Sequence, residues 1–160
     1  MIVSNTSPLI CLAKSGRLNL LKDLFGEVLI EEEVQKEAVG HGKKEGAPDA
    51  LVIESAIKEG WIKVEKLKKK REFKGIHEGE SYTILLAKKH NCIALIDEED
   101  ARAVARALGI EVRGTLYVLR KAAEENILTR DEAIGVLDDM VANGLRISAR
   151  IYSRFLNSVK

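Results

Sequence analysis

Apolar residues along this chain follow two rhythms that alternate. Short unbroken runs at Ile2-Val3, Val28 to Ile30 and Cys92 to Ile96, and the shorter stretch Ile110 to Val112, have the length and β-branched content of strands. Helical spacing fills the stretches between them. Ser7-Pro8 reads as an N-cap with proline at the first helical position, opening a helix that runs to about Ser15 before Gly16. Leu18, Leu21, Leu24 and Phe25 continue at helical spacing to Gly26, and Glu31 to Val39 predicts another helix. Gly40 to Pro48 reads as loop, Pro48 to Glu59 as a helix ended by Gly60. Trp61, Ile62, Val64 and Leu67 suit an edge strand or an irregular extended piece. The basic, glycine-containing stretch Lys68 to Gly79 reads as an exposed, mobile loop. Helices are predicted over Glu80 to Lys89 and Asp100 to Leu108.

Strands and helices alternating at this spacing predict an α/β domain whose central parallel sheet is covered on both faces. After Gly114 the rhythm becomes helical only. Leu116, Leu119, Ala122 and Ala123 carry one helix. Thr129 with Glu132 forms a capping-box pattern ahead of Ile134, Leu137 and Val141, ending at Gly144. Ser148 suits the cap of a last helix bearing Ile151, Tyr152, Phe155 and Leu156. Residues 1–160 thus read as one domain, with about 115–160 a helical C-terminal appendage.

Composition narrows the class without naming a partner. Hydrophobic residues make up 46% and charged ones 32%, which excludes general disorder. Lys plus Arg is 26 against 25 acids, so any nucleic-acid partner must be read from local clusters. One such cluster is Lys66, Lys68, Lys69, Lys70, Arg71 and Lys74, suited to a phosphate backbone or to a solvated loop. Cys11 and Cys92 lie in apolar stretches without metal spacing and read as buried, reduced thiols. His41, His77 and His90 are isolated. The start MIVSNTS lacks a basic leader segment, and no apolar run approaches the roughly 20 residues of a membrane span, so a cytoplasmic protein is expected.

Chemistry is expected where polar residues follow the apolar strands, because ligands of open parallel sheets bind outside the strands' carboxyl ends. Ser4, Asn5 and Thr6 follow the first strand, and Glu31, Glu32, Glu33 and Glu37 follow the second. Asp97-Glu98-Glu99-Asp100 follows the Cys92 to Ile96 run, and Glu78 and Glu80 open the helix before it. Acids in a helix's first turn are favoured by the macrodipole alone, which accounts for several of these singly. Gathered in one cleft they would repel one another unless a cation intervened, and magnesium or manganese suits an all-oxygen set.

Three segments carry a family resemblance: IVSNTSPLI at the start, GESYTILLA at Gly79 to Ala87, and LIDEEDARAVARALGIEVRGT at Leu95 to Thr115. With NGLRIS at Asn143 to Ser148, they resemble the PIN-domain superfamily, and within it the VapC-toxin-like branch of PIN-like proteins of unknown function. The resemblance implies a three-layer PIN-like fold and a divalent-metal-dependent ribonuclease that cuts single-stranded RNA. By position, the first-strand acid falls on Asn5, an amide here, with Thr6 at a neighbouring hydroxyl position. The later acids fall on Glu37, Glu80 and Asp97, with Asp100 as a helper. Glu37, Glu80 and Asp97 are thereby expected to be catalytic, and together with Asn5 and Asp100 to hold Mg2+ or Mn2+. A toxin-like role with an antitoxin protein as partner is implied as well. A homodimer is expected from the surplus of apolar positions on the first helices and the tail. The amide at Asn5 favours an alternative, a catalytically weak scaffold that binds RNA or a protein. An unrelated receiver-like domain fits less, since no lysine follows the later strand suitably.

Overall fold

The computed structural model describes residues 1–160. Five strands, β1 (Ile2–Ser4), β2 (Val28–Glu31), β3 (Ile62–Glu65), β4 (Ala94–Leu95) and β5 (Val112–Arg113), form one sheet in the order β3-β2-β1-β4-β5. Every pairing is parallel, with Val3 opposite Leu29 on one side and Ala94 on the other. Successive side chains of a strand point to opposite faces, and the core divides accordingly. Ile2, Val28, Ile30, Ile62 and Leu95 enter one apolar cluster, while Val3, Leu29, Ala94 and Ile96 enter the other. A three-layer α/β fold results.

The two layers are unequal, with 27 buried residues on the first face and 12 on the second. Helices α1 (Thr6–Lys14), α2 (Asn19–Phe25), α5 (Pro48–Glu59), α8 (Thr115–Glu124) and α9 (Arg130–Ala142) feed the larger cluster. Val118, Leu119 and Ala122 of α8 and Leu137 of α9 are fully or almost fully buried there. Helices α6 (Glu78–His90) and α7 (Glu99–Ala107) cover the other face. α10 (Ala149–Ser158) closes the chain and contributes Phe155 to the larger cluster. No helix is long and apolar enough to cross a membrane.

Several boundaries differ from those read in the sequence. The first helix is capped by Asn5, not Ser7, and Pro8 stands third in the helix, where an N–H would also lack a helical partner. The stretch Gly40 to Pro48 is not all loop. The helix α3 (Glu32–Gln35) passes into a π-helical segment, Lys36–His41, and then α4 (Gly42–Lys44). Packing explains the continuation, since Ala38 and Val39 are buried and α5 lies against this stretch. Of the apolar run Cys92 to Ile96 only Ala94–Leu95 is strand, and the last strand is Val112–Arg113. The caps expected at Thr129 with Glu132 and at Ser148 are formed, each side-chain oxygen accepting a backbone N–H at 3.1 Å.

Glu31, at the carboxyl end of β2, is fully buried. Its Oε2 accepts from Glu33 N–H at 2.7 Å and its Oε1 from Leu67 N–H at 3.1 Å, with Lys70 Nζ 3.7 Å away. A charged acceptor with all its needs met is structural, and here it ties the segment after β3 to the end of β2. Glu31→Ala is expected to cost about 2 to 3 kcal/mol in urea denaturation, the order of stranding buried donors. Glu31→Gln, which keeps one acceptor oxygen, should cost less. Equal stability of all three would show that the segment is anchored elsewhere.

Candidate active site

The strand order doubles back between β1 and β4, and the crevice of such a sheet lies outside the carboxyl ends at that point. Asn5 leaves β1 there with only 3% of its surface exposed. Its Nδ2 donates to Glu98 Oε2 at 3.3 Å. Its Oδ1 is buried and has no hydrogen-bond partner. Buried polar atoms are nearly always paired, and an exception at a sheet's carboxyl edge marks a place built for something further. Ser7 Oγ donates to the other oxygen of Glu98 at 2.6 Å.

Glu80 enters the same group from α6. It is buried, and its Oε1 accepts from His77 N–H at 2.8 Å, so the carboxylate caps its own helix. The Glu98 carboxyl is a near neighbour that acts on the Glu80 carboxyl. Burial, and then the charge of Glu98, raises the Glu80 carboxyl above its ordinary value of 4.5, against the opposing His77 bond. Two acids so placed share a proton at best, or a cation.

Glu37 lies on the π-helical segment, a distortion frequent at functional sites. Thr6 Oγ1 donates to its Oε2 at 2.8 Å, and burial still holds its carboxyl above the ordinary range. A Cβ on Gly79 would collide with the Glu37 carboxylate, so the glycine of the GES segment lets Glu37 lie against the start of α6. Asp97 is differently engaged. Its Oδ1 accepts Thr115 N–H and its Oδ2 accepts Thr115 Oγ1, both at 2.7 Å, fixing the carboxylate at the start of α8. Burial raises its pKa in spite of these bonds. A Cβ on Gly114 would stand 2.9 Å from Asp97 Oδ1. Burial and the Asp97 charge also push the Cys11 thiol up to about 11, so it stays protonated and unreactive.

The structure thus brings Asn5, Glu37, Glu80 and Asp97 to one edge but leaves out Asp100. That side chain is exposed on the first turn of α7, and no hydrogen bond or ion pair ties it to the others. Glu98 instead lies at this edge, accepting from Asn5 and from Ser7. Glu98 is the extended N-cap residue of α7, whereas Asp100 already lies within the helix. Of the histidines, His90 pairs with Glu65 at 2.9 Å.

No set of three or more His, Cys, Asp or Glu side chains converges at metal-holding range. The donors present still fit a hard cation. Asn5 Oδ1 offers an unused oxygen beside two neighbouring carboxyls, and magnesium usually takes one or two carboxylates and keeps several waters.

A family model described as PIN domain matches residues 1–160. A solved PilT N-terminus domain protein from the hyperthermophilic archaeon Sulfolobus solfataricus is similar in fold, with TM-score 0.56 and 19% identity over 76% of this chain and 93% of that one. A domain of a functionally unknown protein from Methanocaldococcus jannaschii reaches TM-score 0.46 at 23% identity, over 71% of this chain and 89% of that one. No functionally curated protein matches the chain significantly.

The electrostatics have a measurable sign. An acid whose folded pKa is raised contributes stability that is full below its ordinary pKa and is lost as pH rises through the folded value. Glu80→Gln cannot ionise, so without metal it should lose less stability than the native chain as pH rises from its ordinary 4.5. Thermal unfolding across that range in EDTA reads the difference. Parallel curves for the two proteins would contradict the raised pKa of the buried Glu80 carboxyl.

Proposed function

The chain belongs to the PIN-domain family, and on that premise we propose that it is a divalent-metal-dependent endoribonuclease acting on single-stranded RNA. PIN domains are generally nucleases that use divalent metal, and the observation that carries the reading here is the unpartnered Asn5 Oδ1 beside Glu80 and Glu98. Asn5, Glu80 and Glu98 would hold Mg2+ or Mn2+, which when bound supplies a water nucleophile and neutralises charge on the phosphodiester. Glu37, with Oε2 held by Thr6 and a pKa raised by burial, keeps Oε1 free to hold or pass a proton. Asp97 acts through Thr115, fixing the start of α8 against the end of β4.

The segment after β3 supports an RNA partner. Lys68, Lys69 and Arg71 are exposed and form no ion pair, while Glu31 and the Tyr82 ring, 5.2 Å from Lys70 Nζ, hold the segment in place. The toxin-like role, an antitoxin partner and a homodimer rest on the sequence alone.

The amide at Asn5 favours the second reading, a scaffold that binds RNA without cutting it. Glu98 answers it, since it sets a carboxylate 3.3 Å from Asn5 and restores the charge that the amide lacks.

Calorimetric titration with manganese, beside cleavage of a labelled single-stranded RNA, tests both readings. An added unit charge at about 4 Å is worth roughly 4 kcal/mol at an effective dielectric of about 20, less the repulsion it brings. Asn5→Asp should therefore bind manganese about tenfold tighter or more. Glu80→Gln and Glu98→Gln should lose both binding and cleavage. Unchanged affinity in Asn5→Asp would remove Asn5 from the metal shell. Full cleavage by both glutamine variants would end the nuclease reading.

A further inference from the structure

On the far side of β5 from the lysine-bearing segment lies a cleft of about 410 Å³ between the start of α8 and α10. Arg102, Arg113, Arg120, Arg146 and Arg154 all line it. Like charges gathered this way repel, and Glu99, Glu111 and Glu124 pair with Arg102, Arg113 and Arg120 at 3.7, 3.0 and 3.6 Å. The Arg113 and Arg120 guanidiniums lie 5.3 and 5.6 Å from the centre of the Tyr117 ring, whose face offsets part of the repulsion. Arg120 Nε is nevertheless buried without a hydrogen-bond partner, its nearest carboxylate, Glu124, standing 3.6 Å away. Arg146 and Arg154 are exposed and form no ion pair at all. The open charge is therefore that of Arg146 and Arg154, beside three partly paired guanidiniums, and it suits an anion with several charges in sequence.

The cleft does not stand alone. Asp97 forms its inner end, and an adjoining cleft of about 490 Å³ is lined by Asp97, Glu98, Ser7 and Lys14. Arg146 lines both. A chain lying along the arginines therefore passes Arg146 and arrives at Glu98. Across the sheet the segment between β3 and α6 carries Lys68 and Lys69, so basic side chains flank the acids on both sides. The geometry points to the arginine cleft as a binding site for the backbone phosphates of single-stranded RNA, holding the strand on the α10 side of the acid group; that the ligand is RNA rests on the nuclease reading. The guanidinium fork matches a phosphate with two parallel hydrogen bonds, and such bonds position a strand without reading its bases. An acidic peptide would satisfy the same forks, but only a phosphodiester strand leaving them reaches a site suited to cutting it.

The test measures binding, not cleavage. Anisotropy of a 5′-labelled single-stranded RNA oligonucleotide is followed against the full chain in EDTA over a range of potassium chloride. Arg146→Ala combined with Arg154→Ala removes two exposed, unpaired side chains and should leave the circular dichroism spectrum unchanged. The double variant should bind about tenfold more weakly at low salt, the order expected for removing two charge-assisted hydrogen-bonding groups. Its plot of log affinity against log salt should flatten by roughly 1.4, about 0.7 for each phosphate no longer neutralised. Arg150→Ala, an exposed arginine of α10 outside the cleft, should change neither. The proposal is overturned by unchanged affinity and slope in the double variant. Equal losses from Arg150→Ala would overturn it too, as would arginine-dependent binding of polyglutamate by a chain that does not bind the RNA. A chain that binds RNA through these arginines yet cuts none would uphold the site and remove only the nuclease reading. A double variant that cuts RNA with native binding would do the reverse.

Discussion

The like-charge proximity of Glu80 and Glu98, with the Asn5 amide beside them, is the constraint around which this edge of the molecule is arranged. A parallel sheet that doubles back between β1 and β4 delivers a strand end and a helix start to the same crevice, and each arrives with an acid or amide. Burial makes the charges costly, so the group needs either protons or a cation. The amide eases the metal-free state: its Nδ2 donates to Glu98 where an aspartate would add a further repulsion. The same orientation leaves Oδ1 buried and unused. On this account the residue at position 5 has not lost the site's charge. Glu98 carries it instead, one hydrogen bond away.

Glu31 shows by contrast what a purely structural acid looks like in this fold. It is as buried as any residue in the chain, yet both oxygens accept backbone N–H groups and a lysine stands nearby. Asp97 is close to that condition, with both oxygens taken by Thr115. Glu37 and Glu80 each keep one oxygen that no neighbouring donor uses, while Glu98 accepts one side-chain donor on each oxygen, from Ser7 and from Asn5. For Glu31, Glu37 and Glu80 the division between holding the fold and holding a ligand therefore follows hydrogen-bond completeness, not burial. It also explains why basic residues sit beside the acid group and not within it, where they would pair with the acids and close the site.

Much of this was legible from spacing. The apolar runs located β1, β2, β4 and β5 to within a residue or two and left β3 open between an edge strand and an irregular piece. The polar residues following β1 and β4 pointed to the edge where the acids gather. Glycines 79 and 114 were visible only as letters, because the demand on each is lack of room beside Glu37 and Asp97, a property of packing between distant segments. The run from Asp97 to Asp100 offered several acids, and periodicity alone could not say where extended chain gives way to helix. One residue's difference in that boundary turns Glu98 into the cleft and Asp100 toward solvent. The helix through Gly40 was hidden by its glycines, since packing on α5, not propensity, sustains it. The arginine cleft was hidden more thoroughly, its members being spread from Arg102 to Arg154.

The central claim is that a divalent ion completes the group formed by Asn5, Glu80 and Glu98. Anomalous diffraction from a crystal of the native chain soaked in manganese tests it without reference to activity. The account requires a manganese peak within ligating range of Asn5 Oδ1 and of both carboxylates, at the roughly 2.0 to 2.2 Å typical of small hard cations. A fully soaked crystal with no peak at that edge, or with its peak at other acids while Asn5 Oδ1 remains unligated, would contradict it.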